Sequence, residues 1–162
     1  MTITIGGKLP DATLSRLGAN GPESVALSSL TAGRKVVLFG LPGAFTGTCS
    51  TAHVPSFIRN MDALKAKGVD EVICLSVNDP FVVAAWEKQT GANDAGIVSL
   101  ADVKSEFTKA AGMNFSAPDI GFHDRSKRYA LVAEDGVVKA IEAEETPGTC
   151  DISSGDSMVA AL

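Results

Sequence analysis

An α/β fold, a mixed central sheet with helices on both faces, is what this chain predicts, and three observations carry the prediction. Short apolar runs rich in β-branched residues alternate with segments whose apolar residues recur every three or four positions. The alternation closes on a hairpin and a last helix rather than on another parallel unit. Length and balance suit one core: 162 residues, 45% hydrophobic and 20% charged, with no internal repeat, low-complexity tract or long linker. Residues 1–162 therefore read as a single domain.

In chain order, Ala12 to Leu17 and Ser24 to Leu27 make an N-terminal hairpin extension. Lys35 to Gly40 (KVVLFG) is a continuous apolar run of the kind buried on both sheet faces, which places it mid-sheet. Val54, Phe57, Ile58, Met61 and Leu64 put one apolar stripe on a helix that stops at Lys67-Gly68 and is kinked near its start by Pro55. Glu71 to Val77 is a second strand, after which Asp79 caps and Pro80 opens a helix carrying Phe81, Ala84, Ala85 and Trp86. Ile97 to Ala101 is a third strand, and Val103 to Ala111 a helix closed by Gly112. Tyr129 to Ala133 and Val137 to Ile141 flank Glu134-Asp135-Gly136, a hairpin signal because Gly tolerates the positive φ of the turn. Ser153 or Ser154 caps a final helix that ends at Leu162. The pattern suits a thioredoxin-like arrangement and other open α/β sheets alike, so function has to come from the sites.

Composition removes several classes. With 14 basic against 19 acidic residues, a net charge of −5 and a pI near 5.0, the chain has no basic stripe for nucleic acid or an anionic membrane. No run approaches the roughly 18 apolar residues of a membrane span. Met1 to Pro10 lacks the basic start, apolar core and small-residue cleavage site of a secretory signal, so a cytoplasmic compartment is expected. A domain of this size needs no disulfide or metal to stay folded. Cys49, Cys74 and Cys150 are widely spaced, unlike a disulfide scaffold or a zinc ribbon, and read as buried hydrophobes or catalysts.

The informative stretch is Pro42 to Cys49, lying where a central strand gives way to a helix, the edge at which open α/β sheets bind ligands. A cysteine in a helix's first turn feels the positive end of the dipole and unpaired N–H groups, which favour thiolate and lower its pKa below the free value of about 8.5. Thr46, three residues earlier, is placed to cap the helix and reach the sulfur, and Pro42 to shield the loop from water. Without the loop, a lone cysteine at a helix start is more often inert packing.

The loop PGAFTGTCS resembles the PxxxTxxC loop of peroxiredoxins, in the form PGAFTPTCS typical of the type II, or peroxiredoxin-5, subfamily. The resemblance continues through HVPSF, CLSVNDPFVVAAW and DRSKRYALVAEDGVV and covers most of the chain. It implies a thioredoxin-like fold and a thiol-dependent peroxidase with Cys49 as the peroxidatic cysteine. Pro42 and Thr46 complete the loop, Arg128 is the active-site arginine, and Arg125 and Thr48 stand behind them. A guanidinium suits the role because it stays charged and offers several fixed donors. Gly47 departs from the subfamily's usual proline and implies a looser loop.

The implied reaction is thiolate attack on the terminal oxygen of a hydroperoxide, leaving sulfenic acid, with no metal, haem or flavin. Cys150, in the turn-rich Thr146-Pro147-Gly148-Thr149-Cys150, matches the resolving cysteine of atypical two-cysteine members. Cys74 reads as a buried small hydrophobe inside a strand, although plant type II members have a cysteine there that has been assigned the resolving role. Thioredoxin, or glutaredoxin with glutathione, is the implied reductant, and a homodimer through the active-site side the implied assembly.

Other readings stay open or fall. A thioredoxin-type reductase needs CxxC, but Thr46 stands three residues before Cys49. A cysteine hydrolase would use His53, four residues after Cys49, as its base. Cys49, His53, Cys74 and His123 lack any ligand pair at zinc spacing. A non-enzymatic redox-sensing or interaction module remains the alternative of a different class. Phe45, Phe81 and Phe122 are expected in the core by composition, or as an apolar collar or dimer face near the site.

Overall fold

The computed structural model describes residues 2–162; Met1, where the N-terminal reading begins, lies outside them. The strands are β1 (Thr13–Gly18), β2 (Gly21–Ala26), β3 (Lys35–Leu41), β4 (Glu71–Ser76), β5 (Val98–Ala101), β6 (Asn114–Ala117), β7 (Phe122–Ser126), β8 (Tyr129–Glu134) and β9 (Val137–Ala143). The α-helices are α1 (Leu27–Thr31), α2 (Val54–Ala66), α3 (Pro80–Thr90), α4 (Glu106–Ala110) and α5 (Gly155–Ala161). A mixed sheet runs in the order β2-β1-β5-β4-β3-β8-β9, with β6 and β7 as a separate hairpin. β3, β4 and β5 are parallel, and the remaining pairings are antiparallel.

The central place of β3 follows from its composition. Val37, Phe39 and Leu41 point into one core with Phe57, Leu64, Trp86 and Met158, which α2, α3 and α5 supply. Val36 and Leu38 point into the other, with Leu14, Leu27, Phe107 and Tyr129. A strand buried on both faces has no polar alternation to show, which is why its run is unbroken. The helices thus cover both faces, as the alternation predicts. α5 docks on α2 through Gly155, whose N–H donates to the Ser56 hydroxyl at 2.9 Å, and a side chain at that glycine would overlap the Ser56 carbonyl.

Several expected details hold: the Asp79 side chain accepts from Val82 N–H at 2.8 Å, Ser154 caps α5, and the Asp135-Gly136 turn has φ of 48° and 74°. Others differ. The predicted helix over Val103–Ala111 shortens to α4, because Ser105 takes a left-handed φ of 56° and the helix winds only after it. α1 and the β6–β7 hairpin were not foreseen: α1 is a five-residue segment too short for periodicity, and β6–β7 is half-exposed and bent around Pro118–Ile120. The irregularity expected of Pro55 takes the form of a wide π-turn over Cys49–His53, in which Val54 N–H donates back to Cys49 O.

Register brings three chain segments to one edge. Gly40 pairs with Tyr129, and Tyr129 with Ala143. The loop after β3, the residue before β8 and the segment after β9 therefore meet there. No helix among the described residues is long and apolar enough to cross a membrane.

Candidate active site

The loop leaving β3 is tied down by its backbone. Ala44 N–H donates to Asn78 Oδ1 at 2.9 Å, and Pro42 O accepts from Arg125 Nη1 at 3.0 Å. The Thr46 carbonyl accepts from Ser50 N–H at 3.2 Å, so Thr46 does stand at the helix mouth. Its hydroxyl, expected to cap the helix and reach the sulfur, instead donates to Gly43 O at 2.7 Å, since the closed loop brings that carbonyl nearer. Cys49 opens the π-turn with no exposed surface, packed with Phe39, Leu41, Val54 and Phe57.

Arg128, 1% exposed, sends Nη2 to the Cys49 sulfur at 3.2 Å. A buried guanidinium needs a countercharge, because desolvation is costly and charge interactions are strong in a low dielectric. Of its bonded partners only the sulfur can supply one. Nη1 meets His53 Nδ1 at 2.9 Å, and Pro147 O accepts from Nε at 3.3 Å and Nη2 at 2.9 Å.

His53 is the group that reading the sequence placed but did not understand. Its Nε2 lies 2.9 Å from Ser153 O, so the bonds assign a neutral ring with hydrogen on Nε2 and an acceptor at Nδ1 facing Arg128. Burial, reinforced by the Arg128 charge, pushes its pKa down to about 3. It is thus a fixed acceptor that orients the guanidinium. The signal was local: position i+4 from Cys49 shares the sulfur's helix face.

The segment after β9 closes over these groups. Thr48 donates its hydroxyl to Gly148 O at 2.9 Å. Glu144 Oε1 accepts from Asp151 N–H, Ser153 N–H and the Ser153 hydroxyl, each at 2.8 Å. Partial burial pulls the Glu144 carboxyl up, but these donors together hold it below the usual carboxylate range. Nothing in the sequence marked Glu144 or Asn78.

The remaining candidates divide. Arg125 lies 4.6 Å above the Phe122 ring and close enough to Cys49 to feel its charge, which offsets the lowering that partial burial causes. Cys150 is half-buried on the closing segment; burial raises its pKa, and Arg128 opposes the rise. Cys74 sits inside β4, where burial, then the charge of Cys49, pushes its thiol well up. His123 is exposed, and no metal-holding cluster of His, Cys, Asp or Glu occurs among the described residues. Phe45 and Phe81 are 53% and 59% exposed, against the core position their composition suggests. Phe45 lies in the loop after β3 and Phe81 in the first turn of α3, where the chain has left the sheet.

A family profile described as Redoxin matches residues 4–159. Peroxiredoxin-2E-2, chloroplastic, of Oryza sativa subsp. japonica is 50% identical, over 99% of this chain and 73% of its own length. Peroxiredoxin-2B of Arabidopsis thaliana is 44% identical, over 99% of this chain and 98% of its own. The crystal structure of reduced Prx3 in complex with H2O2 from Vibrio vulnificus superposes with a TM-score of 0.90 at 43% identity, covering 99% of both chains.

Proposed function

The chain belongs to the Redoxin family and, within it, to the type II peroxiredoxins, thiol-dependent peroxidases of thioredoxin-like fold, and from that premise we propose that Cys49 is the sulfur at which the peroxide is cleaved. The observation that carries this reading is the Arg128 Nη2 to Cys49 Sγ contact of 3.2 Å at the mouth of the helix. Arg128 stabilises negative charge on the sulfur, and His53 fixes the guanidinium plane so that its donors keep their aim.

The thiolate attacks the terminal oxygen of a hydroperoxide. The S–O bond forms as the O–O bond breaks, and the electron pair leaves on the departing oxygen, which takes a proton and exits as water or an alcohol. Arg128 and backbone N–H groups of the first turn stabilise that charge, while the Thr46 hydroxyl, bonded to Gly43 O, holds the loop closed. The Cys150 thiol then attacks the sulfenic sulfur, water leaves, and a Cys49–Cys150 disulfide results. Cys150 suits this step better than Cys74 because it lies on a surface segment bonded to Thr48 and Arg128, whereas Cys74 is locked in the sheet. Pro42 and Arg125 hold the loop's far side.

Thioredoxin, or glutaredoxin with glutathione, is the proposed reductant of the disulfide. The exposed Phe45 and Phe81 support a homodimer through the active-site side. The seven-stranded sheet, which takes strands from both ends of the chain, supports treating 1–162 as one domain. The relatives bear chloroplastic, mitochondrial and unqualified names.

Stopped-flow oxidation of the wild type and the three single Cys→Ser variants, each then offered both donors, tests the assignments. Cys49→Ser should abolish peroxide consumption. Cys150→Ser should keep the first oxidation and lose the intramolecular disulfide. Peptide mapping that finds a Cys49–Cys74 bond in the oxidised wild type would overturn the choice of Cys150.

A further inference from the structure

Cys49 and Arg128 have essentially no exposed surface, and the segment that carries Cys150 is bonded directly to Arg128. Pro147 O takes the Nε and Nη2 donors that a peroxide oxygen would need, and Gly148 O holds Thr48 in the first helical turn. This segment is exposed from Glu145 to Thr149, with no apolar side chain buried beneath it. Its own packing therefore does not keep it down.

What keeps it down is polar: Arg128 at Pro147 O, Thr48 at Gly148 O and, at its root, one carboxylate. Glu144 directly follows β9, and its N–H donates to Arg128 O at 2.9 Å, so the sheet ladder fixes its backbone. From that anchor Oε1 gathers Asp151 N–H, Ser153 N–H and the Ser153 hydroxyl, closing the segment into a strap with Cys150 inside it. The fixed Ser153 in turn presents its carbonyl to His53, which orients Arg128. Charge-assisted bonds to a carboxylate are among the stronger ones available to a surface segment.

We propose that Glu144 is a positioning residue for resolution: it latches the Cys150 strap over Arg128 and Cys49, and its release sets how fast the disulfide forms. The inference rests on the reading of Cys49 as peroxidatic and Cys150 as resolving. The oxidised protein must free Cys150 from the strap before its sulfur can displace water from the Cys49 sulfenic acid. While the strap stays latched the sulfenic acid waits, exposed to a second peroxide that takes it to sulfinic acid. Lifting the strap also removes the burial that raises the Cys150 thiol pKa.

The test follows the single tryptophan, Trp86, whose indole N–H donates to the Ser50 hydroxyl at 2.9 Å and so reports the turn that carries Cys49. Stopped-flow fluorescence after mixing with hydrogen peroxide should resolve oxidation and disulfide closure as two phases. Glu144→Gln should speed the second phase by about tenfold, Ser153→Ala by less, and Glu144→Asp should fall between Gln and wild type. Sulfinic acid, measured by intact mass at a fixed peroxide excess, should fall in the same order, a readout that a merely loosened fold would not improve. Closure at an unchanged or slower rate in Glu144→Gln, with the Cys49–Cys150 bond still mapped in the wild type, overturns the latch alone. Absence of that bond in the wild type overturns the resolving assignment and the latch with it.

Discussion

Acidification should destabilise this protein through His53, and the size of the effect can be worked out. In the native state burial, then the neighbouring Arg128, holds the ring neutral down to a pKa of about 3, against 6.5 for an unconstrained histidine. Between those values the unfolded chain binds a proton that the folded chain refuses, so stability falls as pH falls through that window. Each unit of separation is worth about 1.36 kcal/mol, and integrating from pH 7 to pH 5 gives a loss of about 2 kcal/mol from this one side chain. Urea unfolding under reducing conditions at both pH values, for wild type and His53→Gln, measures it. The variant should be less stable at pH 7, because Arg128 keeps a poorer acceptor, but should lack about 2 kcal/mol of the wild type's acid sensitivity. Parallel losses in the two proteins, or an imidazole resonance assigned to His53 that titrates near 6.5, would refute the account of how Arg128 is held.

Arg128→Lys should lower kcat/KM for hydrogen peroxide by about 10²–10³-fold in steady-state assays, because an ammonium cannot meet Cys49, His53 and Pro147 together as the guanidinium does. Gly47→Pro, which restores the subfamily's usual residue, should be tolerated: the glycine is exposed, no atom crowds its Cβ position, and it opens the helix where proline's fixed φ fits. It should add about 0.4–1 kcal/mol, read as a small rise in Tm, and slow disulfide closure because the first turn unwinds less readily.

How much of this was legible in the residues depends on how far apart the cooperating groups lie. The helix-mouth position of Cys49 and the strand before it are local patterns, readable from an apolar run, a Pro-Gly turn and the stripe of α2. Arg128 is different. It reaches Cys49 across 79 residues because β8 returns antiparallel beside β3, a pairing that no local spacing encodes, so only resemblance pointed to it. His53 lay in between: its i+4 spacing was visible, but its part as an acceptor follows from burial against Phe39 and Phe57, which a sequence does not display.

Glu144 shows the limit most clearly, because the hairpin that places it was itself predicted. Counting a regular ladder outward from the Asp135-Gly136 turn sets Ala143 opposite Arg128. The real ladder slips by one residue between Val132 and Ala133, where Ala133 faces Val138 but Val132 faces Ala140. That bulge carries Glu144 opposite Arg128 instead, where its N–H meets the arginine's carbonyl. A slip of one residue also exchanges the two faces of a strand, so beyond the bulge it decides which side chains face the core. One unpaired residue in β9 thus determines that a carboxylate, rather than a methyl group, stands at the root of the segment bonded to Arg128. Restoring the regular ladder would leave the fold recognisable and remove the anchor.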